Sequence, residues 1–318
     1  MKPRVLITRP LPEPVLAAAR ASFETSVRQK TQPMSRAEMI SALQEYDAIV
    51  PTLGDNFSAE ILAGAEPLRC RLLANFGVGY NHIDVLAATA LDIAVSNTPG
   101  AVTDATADIA MTLILMTARR AGEGERMVRA GRWKGWHPTQ LLGLHVSGKR
   151  LGVIGMGRIG QAIARRAHYG FGMEISYWNR SEKTTDFPAE RIATLEALAA
   201  HVDVLVVALP GGTETHHMVS TSCFSAMQAH AIFVNIARGE IVDEAALIDA
   251  LQAGEIAGAG LDVYEYEPEV PEALITMENV TLLPHLGTNA LEVRTEMGLM
   301  AVENLRAYFA GEGVVNPV

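Results

Sequence analysis

Short apolar runs rich in β-branched residues recur along this chain, separated by longer alanine-rich stretches with helical spacing. Residues 5–8, 48–50, 72–75 and 93–96 read as strands in the first third. A second series follows at 151–154, 175–178, 204–209, 232–236 and 260–263. This alternation of short strands with helices is the βαβ signature and predicts parallel sheets. The same alternation appears in two blocks, with no low-complexity tract and no repeat at solenoid spacing.

Asn97-Thr98-Pro99-Gly100 interrupts the pattern between the blocks, ahead of a helix expected over 102–120. Ile109, Met111, Leu113, Ile114, Leu115 and Met116 place apolar groups on nearly every face of that helix, which predicts burial between domains or subunits, with the methionines as packing. Residues 121–148 are polar and contain glycines and tryptophans. After Pro284-His285-Leu286-Gly287 comes a last helix, with Thr288 or Asn289 as the expected N-cap and Gly311 just past its end. The reading is two doubly wound α/β domains: a flavodoxin-like substrate domain from residues 1–100 and 286–318, and a Rossmann dinucleotide-binding domain from 101–285.

Length and composition agree with that division. The chain has 318 residues, 49% hydrophobic and 19% charged, which suits two buried cores rather than a disordered polymer. A net charge of -10 argues against a nucleic acid or an anionic membrane as partner. Cys70 and Cys223 stand far apart, so no disulfide framework or zinc site is expected, and a reducing cytoplasm fits. The N-terminal apolar run is too short for a signal peptide, and no run is long enough to span a bilayer.

Gly155-Met156-Gly157-Arg158-Ile159-Gly160 follows the expected strand at 151–154 and opens a helix. In that setting Gly155 permits the tight turn, Gly157 the approach of a pyrophosphate, and Gly160 close helix packing. The helix N-terminus then faces the phosphates. A site for NAD(H) would carry an acidic residue at the end of the next strand, about 20 residues on, to accept from the ribose hydroxyl. Here the chain reads Trp178-Asn179-Arg180-Ser181-Glu182-Lys183, and Arg180, Ser181 and Lys183 suit a 2′-phosphate. NADP(H) is therefore expected over NAD(H).

Reduction of a keto carbon by hydride creates an alkoxide that needs a proton, and an acid substrate needs a cation for its carboxylate. His285 and Arg238 both lie at expected strand ends, and Glu267 is placed to orient the imidazole and favour its charged form. His201, His216 and His217 lack carboxylate or cysteine companions in the sequence and read as surface or packing residues.

Taken in order, Asn75-Phe76-Gly77-Val78-Gly79-Tyr80-Asn81-His82-Ile83-Asp84, Asn97 to Gly100, Gly155 to Gly160, Val234-Asn235-Ile236-Ala237-Arg238-Gly239, Gly260-Leu261-Asp262-Val263, Glu267-Pro268 and Pro284 to Gly287 resemble the D-isomer-specific 2-hydroxyacid dehydrogenases over nearly the whole chain. Within that family the resemblance is to glyoxylate/hydroxypyruvate reductases. It implies that Arg238 grips the substrate carboxylate and carbonyl, that His285 is the acid/base, and that Glu267 is its partner. It further implies carboxylate binding by the Val78 and Gly79 amides with Leu53 nearby. On the cofactor side it implies Asp262 at the nicotinamide carboxamide and Thr106 and Val78 along the ring. Leu209 and Pro210 would lie beside the adenosine, and Ile236, Ala237 and Gly287 would line the same site.

The stretch Trp133-Lys134-Gly135-Trp136-His137-Pro138 is similar to the reductase subgroup's version of this loop, which implies a homodimer in which the loop reaches the partner's site, where either Trp136 restricts substrate size or both tryptophans simply pack a dimer arm. Two departures stand out: Asn81 replaces an acid found in many relatives, and Gly211-Gly212 replaces bulkier residues after Pro210. Other readings are a D-lactate, D-glycerate or formate dehydrogenase of the same family, a dinucleotide-sensing corepressor, and a dinucleotide-binding structural protein, because fold alone does not fix function.

Overall fold

Runs of Val, Ile and Leu that are buried on both faces form the strands, and the computed structural model, which describes residues 2–318, arranges them in two parallel sheets. Met1 lies outside the described residues. The chain divides into two units: residues up to Val102 with Thr288–Val318, and Thr103–Gly287.

In the first unit, β1 (Arg4–Ile7), β2 (Glu24–Val27), β3 (Ala48–Val50), β4 (Leu72–Ala74) and β5 (Ala94–Ser96) form a sheet in the order β2-β1-β3-β4-β5. All four pairings are parallel. That is the flavodoxin-like order, in which ligands meet the carboxyl edge where the strand order reverses. The sequence pattern missed β2, whose Glu24-Thr25-Ser26-Val27 is a half-exposed edge strand with little apolar signal. The C-terminal helix Leu291–Phe309 packs on this unit through Ala301, Val302 and Leu305. Its N-cap is Ala290, which has no capping side chain, so neither Thr288 nor Asn289 takes that role.

The second unit contains β6 (Arg150–Ile154), β7 (Glu174–Trp178), β8 (Glu190–Arg191), β9 (Val204–Val207), β10 (Ile232–Asn235), β11 (Gly258–Leu261) and β12 (Val280–Leu282), in the order β12-β11-β10-β9-β6-β7-β8. Chain order reverses between β6 and β9, which pair in parallel from Leu151 with Val204 to Ile154 with Val207. Ligands of such sheets bind beyond the strand C-termini at that reversal. The two-residue β8 carries too few residues for a sequence pattern to show, whereas β12 ends at Leu282, where the sequence placed a strand end ahead of His285.

The apolar helix Thr103–Ala118 lies within this second unit. Leu113 and Ile114 are fully buried, and Gly260 on β11 lets the helix approach, since a β-carbon there would sit 3.0 Å from that of Leu113. The polar stretch 121–148, to which the sequence assigned no element, contains a further helix, Ala121–Arg129, whose residues are all at least partly exposed. Among the described residues no helix is long and apolar enough to cross a membrane. Cys70 and Cys223 are free and buried, and burial pushes each thiol up to about 12.

Candidate active site

The glycine turn after β6 has the shape a dinucleotide phosphate requires. Gly155 has φ +100°, and a β-carbon on it would lie 2.7 Å from the Ala208 carbonyl oxygen beyond β9. A β-carbon on Gly160 would lie 2.1 Å from the Gly155 carbonyl oxygen, so the helix Arg158–Phe171 can sit this close only with glycine there. Around Gly157, by contrast, the space where a β-carbon would point is open. Gly157 is the N-cap and offers no capping side chain, and the first helical turn carries no acid, so the amides there suit a diphosphate. Met156 is fully buried, Arg158 is exposed and Ile159 packs partly on the core. Leu209 and Pro210 follow β9 beside this turn.

Beyond β7 the chain turns through Asn179, Arg180, Ser181 and Lys183. The Asn179 side-chain amide donates to the Ser181 carbonyl at 2.8 Å, and the Lys183 amide donates to the Tyr177 hydroxyl at 3.0 Å. Arg191 on β8 holds the loop from below by donating to the Asn179 and Arg180 carbonyls, each at 3.1 Å. Arg180 itself is exposed and pairs with Glu214 at 2.8 Å. Nothing in the sequence signalled Arg191 or Glu214, which lie 11 and 34 residues from Arg180.

On the other side of the reversal, Arg238, Glu267 and His285 converge at the ends of β10, β11 and β12. The His285 Nδ1 lies 2.8 Å from Glu267 Oε2, and both side chains remain about 30% exposed (29% and 30%). The other carboxylate oxygen of Glu267 accepts from the Tyr264 amide at 3.2 Å. His285 has φ +54°, a left-handed backbone uncommon for residues other than glycine and a recurrent mark of functional positions.

Asp262 holds that backbone in place. Its carboxylate accepts from the Leu286 amide at 2.6 Å and the Gly287 amide at 2.8 Å, and its carbonyl accepts from the His285 amide at 2.9 Å. Burial raises the pKa of Asp262, against the pull of those amides and of His285. Thr106, buried on the long helix, donates to the Gly287 carbonyl at 3.1 Å. Asp262 and Thr106 thus support the histidine loop directly, whatever they contact in a ligand.

Arg238 follows β10, after the buried Ile236 and Ala237, and its Nη1 donates to the Ala237 carbonyl at 2.7 Å. Burial lowers its pKa, opposed by the charges of Glu267 and Glu240. Gly239 is required beside it, because a β-carbon there would fall 1.9 Å from the Tyr264 carbonyl carbon. Glu240 also accepts from the Gly212 amide at 3.0 Å, which settles the conformation of the Gly211-Gly212 departure: a β-carbon on Gly211 would meet the Glu240 carboxylate at 2.5 Å.

Leu53, Val78 and Gly79 belong to the first unit. They lie just past β3 and β4, at its carboxyl edge, with Leu53 and Val78 well exposed. Trp136 is 79% exposed and Trp133 54%. One sequence reading is corrected here: His217 does have a carboxylate companion, Glu265, 2.8 Å from its Nε2 and 48 residues away along the chain.

Residues 111–287 match the model of the D-isomer specific 2-hydroxyacid dehydrogenase NAD binding domain. A glyoxylate reductase of Thermococcus onnurineus is 42% identical over 98% of this chain and 94% of the relative, and one of Pyrococcus horikoshii is 43% identical with the same coverage. The crystal structure of an NADPH-dependent glyoxylate/hydroxypyruvate reductase from Sinorhizobium meliloti, in complex with NADP and malonate, superposes with a TM-score of 0.89 at 37% identity, covering 100% of this chain and 97% of that one. With the glycine turn, the sheet reversal and this similarity along its whole length, the chain belongs to the D-isomer specific 2-hydroxyacid dehydrogenase family.

Proposed function

We propose that this enzyme reduces glyoxylate or hydroxypyruvate to the D-2-hydroxy acid, with NADPH preferred to NADH. The observation that carries the reading is the His285–Glu267 pair, 2.8 Å apart and open to solvent, on the same sheet edge as Arg238 and the glycine turn. The names of the relatives point to the same substrates.

A bound nicotinamide supplies the hydride. Arg238 binds the substrate carboxylate and polarises the carbonyl oxygen, a task for which its partly desolvated guanidinium is strong. The Val78 and Gly79 amides and the Leu53 segment are assigned to the carboxylate as well. Glu267 engages Nδ1 of His285, which leaves Nε2 to donate the proton that converts the forming alkoxide to the hydroxyl. Asp262 keeps His285 and Gly287 in register for that transfer. Small substrates are favoured by a further element of the reading, a homodimer in which Trp136 reaches the partner's site.

The NADPH preference rests on the absence of an acid between Trp178 and Arg180 and on the exposed cation that Arg180 offers. Glu214 competes for that cation, so selectivity is expected to be a preference rather than exclusion. Steady-state reduction of glyoxylate, hydroxypyruvate, pyruvate and phenylpyruvate with each reduced cofactor tests the whole reading. The expected order of kcat/KM places the two small substrates first with NADPH. Phenylpyruvate as the best substrate, or no turnover of any of the four, overturns it.

A further inference from the structure

His216 and His217 are adjacent in sequence, and in an extended chain adjacent side chains point to opposite faces. Here they do not. His217 has φ +50°, and that left-handed residue brings both imidazoles to one side, where the rings stack with centroids 4.0 Å apart and planes 27° from parallel. Glu265, reached from the segment after β11, completes the cluster: one ring nitrogen from each histidine and a carboxylate oxygen of Glu265 all lie within 4.8 Å of one another.

The scaffold around the cluster is built from backbone bonds. The His217 amide donates to the Glu240 carbonyl at 2.9 Å and the Val219 amide to the Ile241 carbonyl at 3.0 Å, which ties the histidine loop to the segment after β10. The Glu265 side chain is only 11% exposed, whereas His216 is exposed. A tetrahedral zinc ion needs nitrogen and oxygen ligands about 2.1 Å from the metal, hence roughly 3.4 Å from each other, a contraction that rotation of His216 can supply.

We infer that His216, His217 and Glu265 form a binding site for a zinc-class divalent cation, separate from the Arg238, Glu267 and His285 group. The ion would take the place of the hydrogen bond between His217 Nε2 and Glu265 Oε1, take His216 as its third protein ligand and keep water at the fourth position. Two imidazoles and one carboxylate select zinc or cobalt over magnesium, which prefers oxygen ligands and retains its waters. Bound there, the ion fastens the 208–220 loop, which carries Leu209 and Pro210, to the segment that carries Glu267.

The test is calorimetric titration of the metal-stripped protein with zinc chloride, with magnesium chloride as control and cobalt absorption as a report of four-coordination. The variants are His216→Ala and His217→Asn, the second because asparagine tolerates the left-handed backbone. The expected result is one zinc per chain, a higher melting temperature with zinc, and loss of affinity by about tenfold or more in each variant. Absence of zinc binding in the parent protein overturns the site, as does parental affinity in either variant. Because the readouts are heat, absorption and melting, the outcome is independent of whether the chain reduces glyoxylate.

Discussion

His285 stands on a left-handed backbone that only its loop can enforce, with Asp262 gripping the two amides that follow and Thr106 the next carbonyl. Its replacement by alanine is expected to lower kcat by about 10²- to 10⁴-fold, the usual share of a general acid. Dissociation of NADPH, followed by its fluorescence, should change little. A proportionate loss of cofactor binding would reassign His285 to ligand positioning. Arg180 allows a second test at this scale. Removal of its guanidinium by Arg180→Ala is expected to raise KM for NADPH by about tenfold, as loss of a charge-assisted hydrogen bond does, while KM for NADH stays put. Equal effects on both cofactors would show that Arg180 serves only the loop.

Among elements, the start of β6 is joined to the start of β9 by Asp203. Its carboxylate accepts from the Arg150 amide at 2.9 Å and from the Arg150 guanidinium and His230 at 3.2 and 2.7 Å. Burial by itself would raise the Asp203 pKa, but the hydrogen bonds from Arg150 and His230 outweigh it and hold the carboxyl well below the usual carboxylate range. A pKa lowered on folding means that the unfolded chain binds the proton more readily. The stabilisation is therefore complete at neutral pH and is lost as pH falls below the unfolded value of about 3.9 toward the folded one. Asp203→Asn is expected to cost on the order of 2 kcal/mol at pH 7 and to flatten the acid side of the stability curve, read by urea unfolding at several pH values. An unchanged acid limb would show that other carboxylates control acid unfolding. The elements that escaped sequence reading, β2, β8 and the helix Ala121–Arg129, share a physical cause: each is exposed, and hydrophobic periodicity reports burial rather than backbone conformation.

For the whole molecule, Trp133, Trp136 and Leu142, within ten residues of one another, are all exposed, and the proposed dimer would cover them. The proposed homodimer predicts sedimentation at twice the chain mass. In the same reading Trp136→Ala widens the substrate range toward bulkier 2-keto acids, raising kcat/KM for phenylpyruvate relative to glyoxylate. A monomer in solution, or an unchanged profile, removes the arm from the active site.

The sequence by itself determined the two parallel sheets, the glycine turn and the resemblance that singled out Arg238, Glu267 and His285, because buried apolar runs and glycines with one permitted geometry leave local traces. Only the tertiary structure decided which charges meet. Glu214 reached Arg180, Glu265 reached His217, and Glu240 shaped the Gly211-Gly212 turn, each across 28 to 48 residues of chain. Such contacts depend on where strands end in a folded sheet, and a side chain's sequence neighbours carry no record of that.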